Sequence, residues 1–271
     1  MTEKLAVLDF SGTLSLSAPR FAAPDVLRKE LEKSGLAALG VTPGLFWAEL
    51  VNPTWTEGST TRAGYRRILA ERLAALKPQA SREGIDRAVS RFSDSYFKAN
   101  AVDPLWTAFL RTCVRQAGLA AVIATDHYAE ATGAILNSLA GLGIPARSVA
   151  ESAPPSPRQA IRVANSADLG AHKSSLPFWN AVRRALGCEE CKGVLLVDDF
   201  GINEPEGDAY GEREKIDRRR AETTARLGEV FQAPVACFFF SLRPATADPA
   251  GNPAAARIAG ALEALERFLA S

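Results

Sequence analysis

The stretch Lys4–Thr13, KLAVLDFSGT, decides how the chain folds. An apolar run of strand length delivers Asp9 into a turn built from Ser11, Gly12 and Thr13. The acid therefore belongs at the carboxyl end of a first strand, the edge at which open α/β sheets bind ligands. Glycine lets the backbone turn sharply and gives amide groups room to approach an anion. A carboxylate beside such a turn is electrostatically odd unless a metal or a nucleophilic role accounts for it. Taken alone, the stretch also reads as a strand capped by an Asx-type turn.

Beyond the turn, Ser15–Ala23 reads as a linker containing Pro19, and residues 24–100 follow a helical rhythm. DVLRKELEKSGLAAL sets Val26, Leu27, Leu31 and Leu36 near one face. GYRRILAERLAAL repeats the spacing at Ile68, Leu69, Leu73 and Leu76, and GIDRAVSRFSDSYF at Ile85, Val89 and Phe92. VNPTWTEGST, ahead of these two, reads as a turn-rich loop. No segment of this block has the pattern of a strand.

From Asp103 the rhythm changes. DPLWTAFLRTCVRQAG opens on Asp-Pro and ends on glycine, as a helix does, and LAAVIAT follows as a buried strand ending at Thr125. A helix over 128–142 precedes IPARSVAESAPPSPRQ, a loop or flap, and then AIRVAN, a short strand near the sheet edge. SLPFWNAVRRALG is a helix closed by Gly187, and KGVLLVDD is a strand. A charged helix over 211–230, the strand PVACFFFSL and a helix over 252–269 complete the chain. Strands alternating with helices on both sides of the helical block predict an α/β fold with a doubly wound parallel sheet. The core would comprise residues 1–17 and 101–271, with 18–100 as a helical insertion.

The 271 residues, 47% of them hydrophobic, suffice for one large domain or a core with a smaller attachment. With 32 basic and 31 acidic residues the net charge is +1, which gives no reason to expect nucleic acid or an anionic membrane as partner. Any anion site must be local. No apolar run approaches a membrane span, and the start MTEKLAVLDF lacks a signal-peptide layout. Cys113, Cys188, Cys191 and Cys237 do not form a disulfide framework. The expectation is a cytoplasmic protein, monomer or homodimer.

Three further polar stations fall where strands end or helices begin: Thr125, then Lys173 in ADLGAHKSS, then Asp198 and Asp199. Three carboxylates from two strands can hold magnesium through oxygen. Lys173 and the metal can neutralise a phosphoryl group while Thr125 donates to it, so that Asp9 attacks phosphorus. Each station alone has a bland reading as a turn, a solvated lysine or a helix cap. All four in this order are harder to dismiss.

These motifs resemble those of the haloacid dehalogenase superfamily, most members of which are magnesium-dependent phosphohydrolases. LAVLDFSGT resembles the first motif, hhhhDxDGT, AVIAT the second, AHKSSLPFW the third and VLLVDD the fourth. The likeness spans roughly 1–14 and 103–240. It implies a Rossmann-like core with a type-1 helical cap, which closes over the site and sets specificity. It also implies Asp9 as nucleophile and a small soluble phosphorylated substrate bound by Gly12, Thr13, Thr125, Asp126 and Lys173. Magnesium would take Asp9, the Ser11 carbonyl, Asp199 directly and Asp198 through water.

One position departs from the pattern. The superfamily's phosphatases carry a second aspartate two residues after the nucleophile, which protonates the leaving group and then activates water. Here it is Ser11. A serine hydroxyl donates a hydrogen bond but does not shuttle protons near neutral pH, and losing general acid–base catalysis costs about 100- to 10,000-fold. Four outcomes fit: a slow phosphatase, or one whose leaving group needs no proton; a long-lived aspartyl phosphate, as in the membrane-embedded P-type ATPases; a carbon–phosphorus hydrolase of the phosphonoacetaldehyde hydrolase type; or a non-catalytic binding or regulatory protein. The third needs a cap lysine for a Schiff base, for which Lys29, Lys33, Lys77 and Lys98 are placed by location alone. The superfamily's dehalogenases also lack the second aspartate but work without metal, and the intact acid pair points away from them.

His127 and His172, the only histidines, flank the second and third motifs and are candidates to replace the missing acid–base. Cys188 and Cys191 form CEEC, with no second pair to complete a zinc site. Trp55, Glu57 and Arg62 in the insertion, and Arg158 in the flap, are candidate substrate contacts, while the basic run 218–220 reads as a solvated face.

Overall fold

The computed structural model describes residues 4–151, 160–188, 191–204, 213–242 and 252–271. At its centre lies β1 (Lys4–Leu8), whose Leu5, Ala6, Val7 and Leu8 are buried. It is flanked by β2 (Leu119–Thr125) and by β5 (Gly193–Asp198). With β3 (Ala146–Ser148), β4 (Ile161–Asn165) and β6 (Val235–Phe239) they form a six-stranded sheet in the order β3-β4-β2-β1-β5-β6. Every pairing is parallel, as expected for strands that read as continuous apolar runs. β1 lies where the strand order runs outward in both directions, the position at which such sheets leave a crevice at their carboxyl edge.

Between β1 and β2 the chain builds α1 (Ala18–Ala22), α2 (Pro24–Ser34), α3 (Pro43–Leu45), α4 (Trp55–Thr60), α5 (Tyr65–Leu76) and α6 (Arg82–Ala99). Phe21, Leu27, Leu31, Phe46, Leu73 and Phe92 belong to a hydrophobic cluster distinct from the two that cover the sheet. Two readings are corrected here. The stretch taken as a linker contains α1, with Pro19 in its first turn, where a missing N–H costs little. VNPTWTEGST is helical rather than a loop: a π turn over Phe46–Val51, a 3-10 turn over Asn52–Thr54, then α4. Pro53 sits in an initial turn, where a missing N–H costs little. Val26 is exposed, while Leu27, Leu31 and Leu36 are buried one position over.

The remaining helices are α7 (Thr107–Arg115), α8 (Glu130–Gly141), α9 (Ser166–Leu169), α10 (Leu176–Leu186), α11 (Arg213–Phe231) and α12 (Pro253–Ala270). Alternation along the strands divides the sheet's burial. Ala6, Leu8, Ile123 and Val197 pack with residues of α7, α8 and α12, whereas Leu5, Val7, Val122, Ala124 and Leu196 pack with α10 and α11. The flap reading is corrected in its first half, where Ala146–Ser148 forms β3 at the sheet edge. Its second half, with Arg158, lies outside the described residues. No helix among the described residues is long and apolar enough to cross a membrane.

Trp106 fastens the motif turn to this frame. It is fully buried, its Nε1–H donates to the Thr13 carbonyl at 3.0 Å, and its ring packs against Phe109 and Phe240. Trp106→Ala is expected to cost about 3–5 kcal/mol, by cavity formation and by stranding that carbonyl. Trp106→Phe should cost less, and the denaturant midpoint in urea reports both.

Candidate active site

The face on which β1 packs Leu5 and Val7 is also the face toward which Asp9 continues, and the same period carries β5 to Asp198 and β2 to Asp126. Register brings the first two level. Leu8 lies opposite Val197, and the ladder extends one step further with the Asp9 N–H donating to the Val197 carbonyl at 2.9 Å. α10 packs on that face, so Lys173, in the turn before it, enters from the same side. Its ammonium lies 2.5 Å from Asp9 Oδ1 and 3.2 Å from Asp198 Oδ2. Its backbone is held at both ends: the N–H donates to Asp126 Oδ1 at 2.9 Å, and the carbonyl accepts the Trp179 indole N–H at 2.6 Å.

A second set of bonds aims the acid pair. Asp198 Oδ1 accepts the Phe200 N–H at 2.7 Å, and the Asp199 N–H donates to Thr13 Oγ1 at 3.0 Å. Asp199 Oδ2 accepts the Asn203 N–H at 3.1 Å. The Asn203 side chain then donates to the carbonyls of Gly12 (2.8 Å) and Phe240 (3.2 Å), while its oxygen accepts the Leu242 N–H. Asn203 thus ties three loops together. Nothing in its local sequence sets it apart from any polar loop residue. The chain leaves the acid pair through Phe200 at φ 51° and Gly201 at φ 88°. A non-glycine residue there costs about 1–3 kcal/mol, the kind of strain that collects at functional sites.

Gly12 and Thr13, expected at the phosphate, are not among the residues that line the cavity. Thr13 is fully buried on the Asp199 N–H. Gly12 has φ 77°, and a Cβ there would lie 2.4 Å from Asp199 Oδ2.

Asp9, Asp198 and Asp199 are all buried, and each offers an oxygen within 4.8 Å of the others. Burial, and then the neighbouring Asp198, push the Asp9 carboxyl up to about 7 against the pull of Lys173. Burial, then Asp9 and Asp198, hold Asp199 well above the usual carboxylate range. Burial likewise raises Asp126, with Lys173 opposing. An all-oxygen donor set with more carboxylate than ammonium fits a hard divalent cation such as magnesium.

Over this cluster opens a cavity of about 590 Å³. Asp9, Ser11, Thr125, Asp126, Lys173, Asp198 and Asp199 all line it, so the structure gathers these predicted residues at one sheet edge. From the insertion, Trp55 reaches it, whereas Glu57 and Arg62 are exposed elsewhere. None of Lys29, Lys33, Lys77 and Lys98 lines it, which leaves a Schiff-base mechanism without its insertion lysine. The basic run is not simply a solvated face. Arg218 and Arg219 line the cavity with Lys215, and Arg220 lies over the Phe239 ring. Sequence periodicity could not show this, because α11 is charged along most of its length.

Both histidines line the cavity and both are engaged. His127 Nδ1 accepts the Tyr128 N–H at 2.9 Å, so a neutral ring carries its proton on Nε2, 2.9 Å from the Tyr96 hydroxyl. Burial pushes its pKa down to about 4, so near neutral pH it has no proton of suitable acidity to give. Ser59 Oγ donates to the Trp55 carbonyl at 2.6 Å, so its 2.7 Å contact with His172 Nε2 must be an N–H donated by the histidine. His172 therefore braces α4. The four cysteines are free thiols and none lines the cavity. Cys191, ahead of β5, is pushed down to about 7 chiefly by a hydrogen bond from Cys188.

This sheet order, with acids at the carboxyl ends of β1 and β5 and a helical insertion after β1, is the haloacid dehalogenase fold. The structure is similar to that of the 2-haloacid dehalogenase from Pseudomonas syringae pv. Tomato, with a TM-score of 0.55 and 15% sequence identity over 98% of this chain and 99% of that one. No protein-family model and no curated protein matches the sequence. At this identity the likeness establishes the fold alone.

Gly12→Ala is expected to destabilise the protein by about 2 kcal/mol or more, since the left-handed backbone alone costs an L-residue roughly 1–2 kcal/mol and the new methyl displaces Asp199. Thermal unfolding should show a melting temperature lower by about 4–8 °C.

Proposed function

We propose that the protein is a magnesium-dependent phosphohydrolase that acts on a small phosphorylated substrate through an aspartyl phosphate on Asp9. The observation that carries this reading is the buried Asp9 carboxylate, level with Asp198, beside Asp199 and in contact with Lys173. A carboxylate so placed is a nucleophile with its charge stabilisers already assembled.

Asp9, the Ser11 carbonyl, Asp198 and Asp199 would hold the cation, which when bound neutralises phosphoryl oxygens as a Lewis acid. The protein's own groups do the rest. Asp9 must be ionised to attack. Lys173, which binds it in the resting site, is placed to turn its ammonium toward an incoming phosphoryl oxygen, held in register by Asp126. Thr125, buried at the end of β2, offers that group a hydroxyl. Ser11 lines the cavity, and its hydroxyl does not shuttle protons near neutral pH, so both halves of the reaction lack general acid–base help. That same feature supports a second reading, a phosphoryl-binding protein that turns over little.

Phosphate release from phosphomonoesters and acyl phosphates, with magnesium or with chelator, tests the proposal. Multiple turnovers are expected, abolished by chelator and reduced at least 1,000-fold in Asp9→Asn. Binding without release favours the second reading. Halide release from a 2-haloacid without magnesium overturns the phosphohydrolase in favour of the activity named for the structural neighbour.

The raised carboxyls add a test with a thermodynamic sign. Between about pH 4 and 7, Asp9 in the folded metal-free protein keeps a proton that the unfolded chain has released. Stability contributed by this group therefore falls as pH rises through that window. A cation replaces those protons and binds best when they are gone. Millimolar magnesium should raise the melting temperature by several degrees at pH 8 and by much less at pH 5, with the difference lost in Asp199→Asn.

A further inference from the structure

We infer that the substrate's leaving group is aromatic, an aryl phosphate rather than an alkyl or sugar phosphate, an inference that rests on the phosphohydrolase reading above. Two unrelated observations converge on it: the walls of the cavity and the residue at position 11.

The walls come first. Above the polar floor the cavity is lined by Phe46, Trp55, Tyr65, Phe92, Tyr96 and Tyr128 among others. These rings are already packed edge to face or tilted: Trp55 against Tyr128 at 5.5 Å, Tyr65 against Tyr128 at 4.4 Å and Tyr65 against Tyr96 at 5.5 Å. Such a lining extends its own packing onto another ring. Apart from tyrosine hydroxyls, the insertion contributes a single polar side chain to the lining, Asn52, and the Tyr96 hydroxyl is occupied by His127. The polar lining outside the acid cluster comes from Glu204 and α11 (Lys215, Arg218, Arg219, Glu222 and Thr223), so the discrimination is against hydroxyls that face the insertion's rings, which would be left unpaired there. The volume of about 590 Å³ leaves room for one or two fused rings beside a phosphoryl group.

Ser11 points the same way by chemistry. Asp9 Oδ attacks phosphorus, the P–O bond to the leaving group breaks, and the electron pair departs on that oxygen. An alkoxide, with basicity near that of hydroxide (pKa of water about 15.7), needs a proton as it leaves. Ser11 does not supply one, and neither histidine is free to. A phenolate, with a pKa of about 10, leaves unaided. In the second half, water attacks phosphorus, the P–O bond to Asp9 breaks to restore the carboxylate, and the proton from water passes to solvent. Without a base at position 11 that half is the slower one, so the phosphoenzyme accumulates.

The experiment compares phenyl phosphate with benzyl phosphate, which share a ring and differ in leaving-group basicity, and includes acetyl phosphate, which leaves easily but has no ring. With magnesium, kcat/KM for phenyl phosphate should exceed that for benzyl phosphate at least 100-fold, with a burst of phenol equal to the enzyme present. Ser11→Asp should raise benzyl phosphate turnover at least 10-fold and abolish the burst. Independently of turnover, phenylphosphonate should quench tryptophan fluorescence with at least 10-fold tighter binding than methylphosphonate, a difference lost in Trp55→Ala. Equal turnover of phenyl and benzyl phosphate, or equal binding of the two phosphonates, overturns the aromatic inference and leaves the phosphohydrolase standing. Silence toward all three substrates overturns both.

Discussion

The Lys173 ammonium, shared between Asp9 and Asp198 in a buried crevice, is the contact on which the site depends. Burying like charges at the end of two adjacent strands is unfavourable, and the carboxyls record it in their raised proton affinity. One lysine cannot balance three acids. The remainder is met by structure: backbone N–H groups on Asp198, Asp199 and Asp126, with the Thr13 hydroxyl and Asn203 fixing the turns that supply them. Such a cluster is under tension until a cation offsets its excess negative charge, and that tension distinguishes a site from an incidental group of acids.

Much of this was legible in the sequence because the informative residues stand at strand ends. A strand announces its own terminus, so Asp9, Thr125 and Asp198 could be placed at one edge from apolar runs alone, and parallel alternation followed from the helices between them. The helical state of 51–60 was hidden by Pro53 and Gly58, residues that break helices in their interior but open or pack them here. Gly58 is where α4 lies against Tyr128, with a Cβ position only 2.1 Å from that ring. Asn203 and the cavity face of α11 were hidden for a different reason. Their roles arise from contacts across the fold, Asn203 reaching Gly12 and Phe240, and no local spacing encodes such reach.

The insertion and the core meet through the same short segments that build the chemistry. Glu130, at the start of α8, accepts the Tyr65 and Arg66 N–H groups and so caps α5. His172, next to Lys173, braces Ser59 of α4, and His127, two residues beyond Thr125, donates toward Tyr96 of α6. The loops after β2 and before α10 therefore position Asp126, Lys173 and the aromatic walls together. His172 links the insertion to the Lys173 turn, and His127 links the sheet edge to the walls. For the proposed substrate, body and reacting centre would then be read by one connected set of contacts, so that binding energy from a remote ring could be used to place the phosphoryl group at Asp9. Under the proposed reaction, with no acid at position 11, that placement would carry more of the catalysis than it would where proton transfer shares it.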